Sequence, residues 1–148
     1  MLGEEALVHA SATALVSAGI PVMAHVGLSP QAVHQLGGYK VQRDEERLLH
    51  DATTAEAAGA FSVLLECVAS SIAKKITDAL RVPTIGIGAG AGCDGQVLVI
   101  NDMLGMFERF TPKFVKKYCN LNAQMKEGVK KYIDEVKSGA FPDEEHSI

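Results

Sequence analysis

Glu66 ends a nearly unbroken apolar run, Phe61-Ser62-Val63-Leu64-Leu65. A carboxyl at the mouth of such a strand loses solvation, which raises its pKa toward the range useful for a general base. An acid paired with a lysine, or capping a strand end, accounts for it equally well, since strand-end acids are often but not always functional. His25 closes a second apolar stretch, Val22-Met23-Ala24-His25-Val26, and precedes a long polar connection. A lone histidine of this kind is more often a satisfied core donor than a catalyst. Company raises its standing: His25 and Glu66 fall at corresponding ends of successive strands and so should open onto the same mouth.

The run Gly86-Ile87-Gly88-Ala89-Gly90-Ala91 fits a loose G-x-G-x-x-G/A pattern. A dinucleotide-binding turn must feed a full helix before its second strand, and here the next apolar run starts within a few residues. The glycines are better explained by a tight turn or by close backbone approach to a ligand. Alternation puts Ile85 and Ile87 on one face, and Val97 and Val99 on one face, as either plain core or an apolar pocket wall. Three cysteines at wide spacing (Cys67, Cys93, Cys119) and five scattered histidines suggest neither a disulfide framework nor a zinc cage. Lys74-Lys75, Lys116-Lys117 and Lys130-Lys131 read as solvated helix faces.

The elements that must position these residues alternate between helical and strand patterns. Residues 4–18 set Leu7, Ala10, Ala14, Leu15 and Ala18 on one helical face, with Gly19 as the stop. A strand follows over 20–26. In the connection 27–43, Ser29-Pro30 opens a short helical turn that Gly37-Gly38 closes. A helix from near Asp44 carries Leu48, Ala52 and Ala55 inward and stops at Gly59, ahead of a strand over 60–66. Ser70 caps a helix with Ile72, Ile76 and Leu80 in register, and Pro83 ends it. Strands are expected over 83–88 and 96–100, around the glycine-rich turn 88–95. Pro112 opens a further helical segment, and Asn122 caps a last helix bearing Met125, Val129, Ile133 and Val136 before Gly139. Strands separated by single helices imply a parallel sheet covered on both faces. Four strands are too few to close a barrel, so an α/β open sheet or an incomplete barrel is expected, with ligands at the carboxyl ends of the strands.

The 148 residues are 47% hydrophobic and 22% charged, with 18 acids against 14 bases. One domain over 1–148 is expected, with residues 140–148 as an exposed tail. The charge of −4 argues against a nucleic-acid partner, because a phosphate-tracking surface needs a basic excess. No apolar run approaches the ~20 residues that span a bilayer, so no membrane partner and a cytoplasmic location are expected.

Seven segments then resemble ketopantoate hydroxymethyltransferase, in that family's order and over nearly the whole chain. They are Ala24-His25-Val26-Gly27-Leu28-Ser29-Pro30-Gln31, Gly37-Gly38-Tyr39-Lys40-Val41-Gln42, Leu65-Glu66-Cys67-Val68, Ile85-Gly86-Ile87-Gly88-Ala89-Gly90, Asp94-Gly95-Gln96-Val97-Leu98-Val99, Pro112-Lys113-Phe114 and Pro142-Asp143-Glu144-Glu145-His146-Ser147. The resemblance covers the second half of that enzyme. It implies the second half of a (β/α)₈ TIM barrel, in a homo-oligomer that is a decamer in the family. The implied reaction transfers a hydroxymethyl group from 5,10-methylenetetrahydrofolate to the 2-oxoacid 2-oxoisovalerate, giving ketopantoate on the route to pantothenate and coenzyme A. Mg²⁺ would hold the oxoacid while a glutamate removes its C3 proton.

By that resemblance Glu66 aligns with the base and His25 with a histidine of the site. Ile87, Val97 and Val99 align with the wall around the isopropyl end of the substrate. The metal-binding acids of the family precede the position of Met1, so none is expected in this chain, which reads as a truncated form. Ala69 stands where the family usually has proline, Asn101 where a histidine commonly precedes the aspartate, and the loop after Gln42 is a few residues short. Two other readings remain: a non-catalytic half-barrel that associates with itself or a homologue, and a related magnesium-dependent lyase that also forms enolates.

Overall fold

The computed structural model describes residues 4–29, 40–108 and 110–148, with side chains from residue 10 onward. Two compact units emerge, 1–97 and 98–148. In the first unit the order is α1 (Glu4–Ser17), β1 (Met23–Gly27), α2 (Glu45–Ala57), β2 (Ser62–Glu66), α3 (Ser70–Ala79), β3 (Thr84–Ile87) and β4 (Gly95–Gln96). The four strands pair in parallel in the order β1-β2-β3-β4. This is the α/β architecture expected of part of a barrel.

Helix α2 begins where its sequence says it should. The Asp44 side chain accepts a hydrogen bond from the Arg47 amide, and Glu45 and Glu46 sit in the positive first turn. Its Leu48, Ala52 and Ala55 are buried, as the spacing predicts. They join Val26, Val63, Leu65, Val68, Ile72, Ala73 and Ile76 in one core between the sheet and helices α2 and α3. Glu56, near the end of α2, accepts from the backbone amides of Arg81 and Val82 and so ties down the entry to β3.

Strand periodicity decides what remains outside that core. Val63 and Leu65 face the helices, so Leu64 and Glu66 face the other way. Val26 is likewise in the core, which turns His25 to the opposite face. In β3, Thr84 and Gly86 are buried while Ile85 and Ile87 are only partly so. His25, Leu64, Glu66, Ile85 and Ile87 therefore share one face of the sheet.

Several expectations are corrected. The α1 face is not the expected one: Ala10, Ala14, Leu15 and Ala18 are exposed, whereas Ala12 is buried and Val16 half-buried. An alanine-rich helix offers no single apolar stripe for the periodicity to find. Ser70 is the first residue of α3 and Ala69 its N-cap, which makes no side-chain capping bond. The fourth strand is Gly95–Gln96 and not 96–100, because Ile100 already starts a short helix. β3 and β4 are joined by the seven residues 88–94 without a helix. This is possible because the loop doubles back over Gly86: a Cβ there would lie 2.9 Å from Cys93 Sγ and 3.2 Å from Gln96 Nε2. The Pro30 and Gly37-Gly38 ends of the expected short turn lie outside the described residues, as does the Leu7 side chain.

The second unit holds α4 (Ile100–Met103) and α5 (Leu121–Ser138). Pro112 opens a turn and not a helix, closed by Val115 N–H donating to Pro112 O. The cap of α5 is Asn120, two residues before Asn122, and it accepts from the Ala123 amide. Asn122 instead reaches back to Met106 O through Nδ2. Helix α5 stops at Gly139 as expected, and Met125, Val129, Ile133 and Val136 are exposed on it. Residues 142–148 are exposed, and Phe141 packs against Tyr132 and His146.

Candidate active site

Parallel register brings the two strand-end residues into contact. His25 pairs with Leu64 and Gly27 with Glu66, so on neighbouring strands the imidazole and the carboxylate sit one side-chain step apart on the same face. His25 Nε2 lies 3.2 Å from Glu66 Oε2, with the side chains 33% and 20% exposed. Those exposures leave both groups open to a small molecule while holding them out of bulk water. The contact occupies Oε2, and Oε1 has no hydrogen-bond partner among the described residues. Such a carboxylate is oriented through one oxygen and available through the other.

Glu66 pairs in register with Ile87 on its other side, so the apolar side chain flanks the carboxylate at the same mouth. Val97 follows β4, donates its amide to Gly86 O and is 44% exposed. Val99 belongs to the second unit, where it caps α4 and is 53% exposed. The structure thus gathers His25, Glu66 and Ile87, and neither Val97 nor Val99 lies in a strand. Ala69 caps α3 beside the site, and Asn101 lies in α4, its carbonyl accepting from Met106.

The backbone around Glu66 carries features with no signature in the side-chain pattern. Glu66 O accepts from Leu28 N–H at 2.9 Å, and Cys67 N–H donates to Ile87 O at 2.9 Å. Cys67 has φ 51°, in the left-handed region that non-glycine residues seldom enter. Gly27, at φ 104°, is required where it stands, because a Cβ there would lie 2.3 Å from Glu66 O. In the sequence, the glycine that closes the histidine-bearing strand is the sign of this close approach. The Cys67 thiol is pushed up from its ordinary value by burial and, to a lesser degree, by the Glu66 charge.

Among the described residues no three His, Cys, Asp or Glu side chains cluster as a metal cage. Magnesium prefers six oxygens in octahedral array, and one carboxylate contacted by one imidazole does not supply that. The described residues by themselves do not fit a magnesium site.

A carboxylate and an imidazole meeting at the carboxyl ends of adjacent parallel strands stand where barrel-related α/β enzymes place their functional groups. The family described as ketopantoate hydroxymethyltransferase matches residues 2–144, and the chain belongs to that family of transferases. It is similar to the 3-methyl-2-oxobutanoate hydroxymethyltransferase of Syntrophus aciditrophicus, 62% identical over 134 residues that cover 88% of this chain and 49% of that protein. The enzymes of the same name from Desulforapulum autotrophicum and Enterococcus faecalis are each 58% identical, covering 90% and 91% of this chain and 51% and 50% of theirs. The chain spans about half the length of the curated relatives it matches.

Proposed function

We propose that this chain supplies the proton-abstracting part of a hydroxymethyl transfer from 5,10-methylenetetrahydrofolate to 2-oxoisovalerate, giving ketopantoate. Glu66 is the base. Oε1 takes the proton from C3 of the oxoacid, the C3–H electron pair enters the enolate, and the enolate carbon is then the nucleophile toward the one-carbon unit. His25 holds Oε2 and keeps the carboxylate aimed at the mouth. Ile87 and Val97 offer apolar surface to the isopropyl group, and Val99 is assigned to the same wall by resemblance alone. The observation that carries this reading is the 3.2 Å contact of His25 with Glu66 at the strand ends of a chain whose family is named for the reaction.

Magnesium and the folate are the cofactor and co-substrate this reading implies. A homo-oligomer and a cytoplasmic location belong to it as well, the former supported by the exposed row Met125, Val129, Ile133 and Val136 on α5. No described helix is long and apolar enough to cross a membrane.

The test is deuterium uptake at C3 of 2-oxoisovalerate in D₂O, followed by NMR with MgCl₂ present and folate absent. Replacing Glu66→Gln is expected to slow uptake by ~10²–10⁴-fold, the usual worth of a general base. Equal uptake in both proteins, or none in the wild type, overturns the reading. The exposed α5 row also favours a second reading, a non-catalytic module that associates through apolar surface. Wild-type exchange lost with Glu66 would exclude it.

A further inference from the structure

The general base stands on a backbone arrangement that the side-chain pattern does not explain. Every backbone polar group from Glu66 O to Cys67 O, and again at Ala69 N–H, is engaged by a neighbouring segment. Glu66 O accepts from Leu28, Cys67 N–H donates to Ile87 O, Cys67 O accepts from Gln42 N–H at 2.7 Å, and Ala69 N–H donates to Gln42 O at 3.1 Å. Gln42 therefore grips the chain on both sides of Val68, with which it forms an isolated parallel bridge. Its own side chain is fixed: Nε2 donates to Lys40 O at 2.9 Å and Oε1 accepts from Arg47 Nη2 at 3.1 Å. Arg47 lies in the first turn of α2, capped by Asp44.

We propose that Gln42 and Cys67 are positioning residues for Glu66, the left-handed turn at Cys67 and its two-sided grip by Gln42 fixing the direction in which the carboxylate leaves the strand end. The inference rests on Glu66 being the base. A left-handed residue other than glycine is unfavourable by itself, so it persists where its surroundings over-determine it. Here the over-determination is visible. Were residue 67 to relax to negative φ, Cys67 O and Ala69 N–H would both swing away from Gln42. Val68, now 1% exposed in the core, would be turned out as well. Each loss leaves a backbone group unpaired beside the site. Relaxation would also move Glu66 off the register that places it against His25 and Ile87.

The thiol has no part in this account, and that makes it testable. Cys67→Gly removes the sulfur but tolerates positive φ, whereas Cys67→Val keeps an apolar side chain and resists it. Three readouts are taken on the whole 148-residue chain: amide hydrogen exchange at Leu28 and Gln42, the ring ¹⁵N shifts of His25, and C3 deuterium uptake by 2-oxoisovalerate. Cys67→Gly is expected to keep wild-type protection, ring shifts and uptake. Cys67→Val is expected to lose protection at Gln42, to move the His25 ring shifts toward those of Glu66→Gln, and to slow uptake on the order of tenfold. If Cys67→Val does not fold, Cys67→Ala gives the same contrast at smaller amplitude.

Loss in Cys67→Gly equal to that in Cys67→Val would mean that the side chain matters and not the backbone, and overturns the proposal. So would wild-type behaviour in Cys67→Val. The first two readouts need no turnover. Protection and ring shifts that follow the expected order, in a wild type without C3 exchange, would uphold the grip on Glu66 while overturning the assignment of Glu66 as base and, with it, the positioning role.

Discussion

The two ends of the parallel sheet are held by different means. At the amino end, side chains reinforce the main-chain bonds of Phe61 to Val22 and of Val63 to Pro83. Thr84 is fully buried, with its amide and hydroxyl both on Asp94 Oδ2 (2.8 and 3.2 Å) and its hydroxyl 2.8 Å from that of Thr77. Ser62, 2% exposed, donates to Pro83 O. At the carboxyl end the main chain does the holding, through Leu28, Gln42, Cys67 and Ala69. A polar side chain consumed in holding the fold cannot act on a ligand. Fixing the mouth through amides and carbonyls leaves His25 and Glu66 partly exposed and, among the described residues, in side-chain contact with each other.

That contrast can be broken first at its tightest point. Gly27→Ala places a Cβ 2.3 Å from Glu66 O and 2.8 Å from Val68 Cγ2, at φ 104°. Urea unfolding is expected to show a loss of about 3 kcal/mol, with C3 exchange lost as well. At the other end, Thr84→Val keeps the volume and the backbone bond to Asp94 but removes the hydroxyl's bonds to Asp94 and Thr77. A loss of about 1–3 kcal/mol is expected, with C3 exchange in the surviving folded protein unchanged. A Thr84→Val protein that unfolds no more easily but exchanges more slowly would dissolve the distinction between the two ends.

The smallest effect uses the two thiols as reporters, one near each end. Cys67 is raised by burial and then by Glu66; Cys93 is raised by burial, opposed by hydrogen bonds to Thr77 and Thr84, with a smaller upward push from Asp94. A thiol raised in the folded state favours folding fully below its ordinary value of 9.0. That contribution fades as pH climbs through the raised folded value, where the native state still binds the extra proton. Glu66→Gln removes the lesser cause at Cys67, so its iodoacetamide alkylation should set in at lower pH while that of Cys93 stays put. A parallel shift of both would show that the substitution loosens the whole unit.

What the sequence disclosed follows from the kind of interaction involved. Helix α2 was legible because Asp44, Leu48, Ala52 and Ala55 state both a cap and a period, and neither depends on distant contacts. His25 and Glu66 were legible because polar residues closing apolar strands are conspicuous. The fourth strand was misplaced because the apolar run 97–100 looks more strand-like than Gly95–Gln96, which pairs only through its backbone. The α5 cap slipped because Asn120 and Asn122 are equally good capping residues, and the geometry chooses between them. The engagement of Gln42 with Cys67 was invisible for a deeper reason: amide-to-carbonyl bonds are the same for nearly every residue type. Even φ 51° at Cys67 leaves no trace where glycine or asparagine would have announced it.

Glu66 and His25 hold each other by one contact among the described residues, Nε2 to Oε2, whereas the strands that carry them are joined by a ladder of main-chain bonds. Bonds in a ladder back one another up; a single contact has nothing in reserve. On warming, the pair is expected to drift before the strands part, so that the site loses its orientation while most of the helices and strands still stand. Failure begins as misalignment, and a chain that retains its fold is not for that reason a chain still able to work.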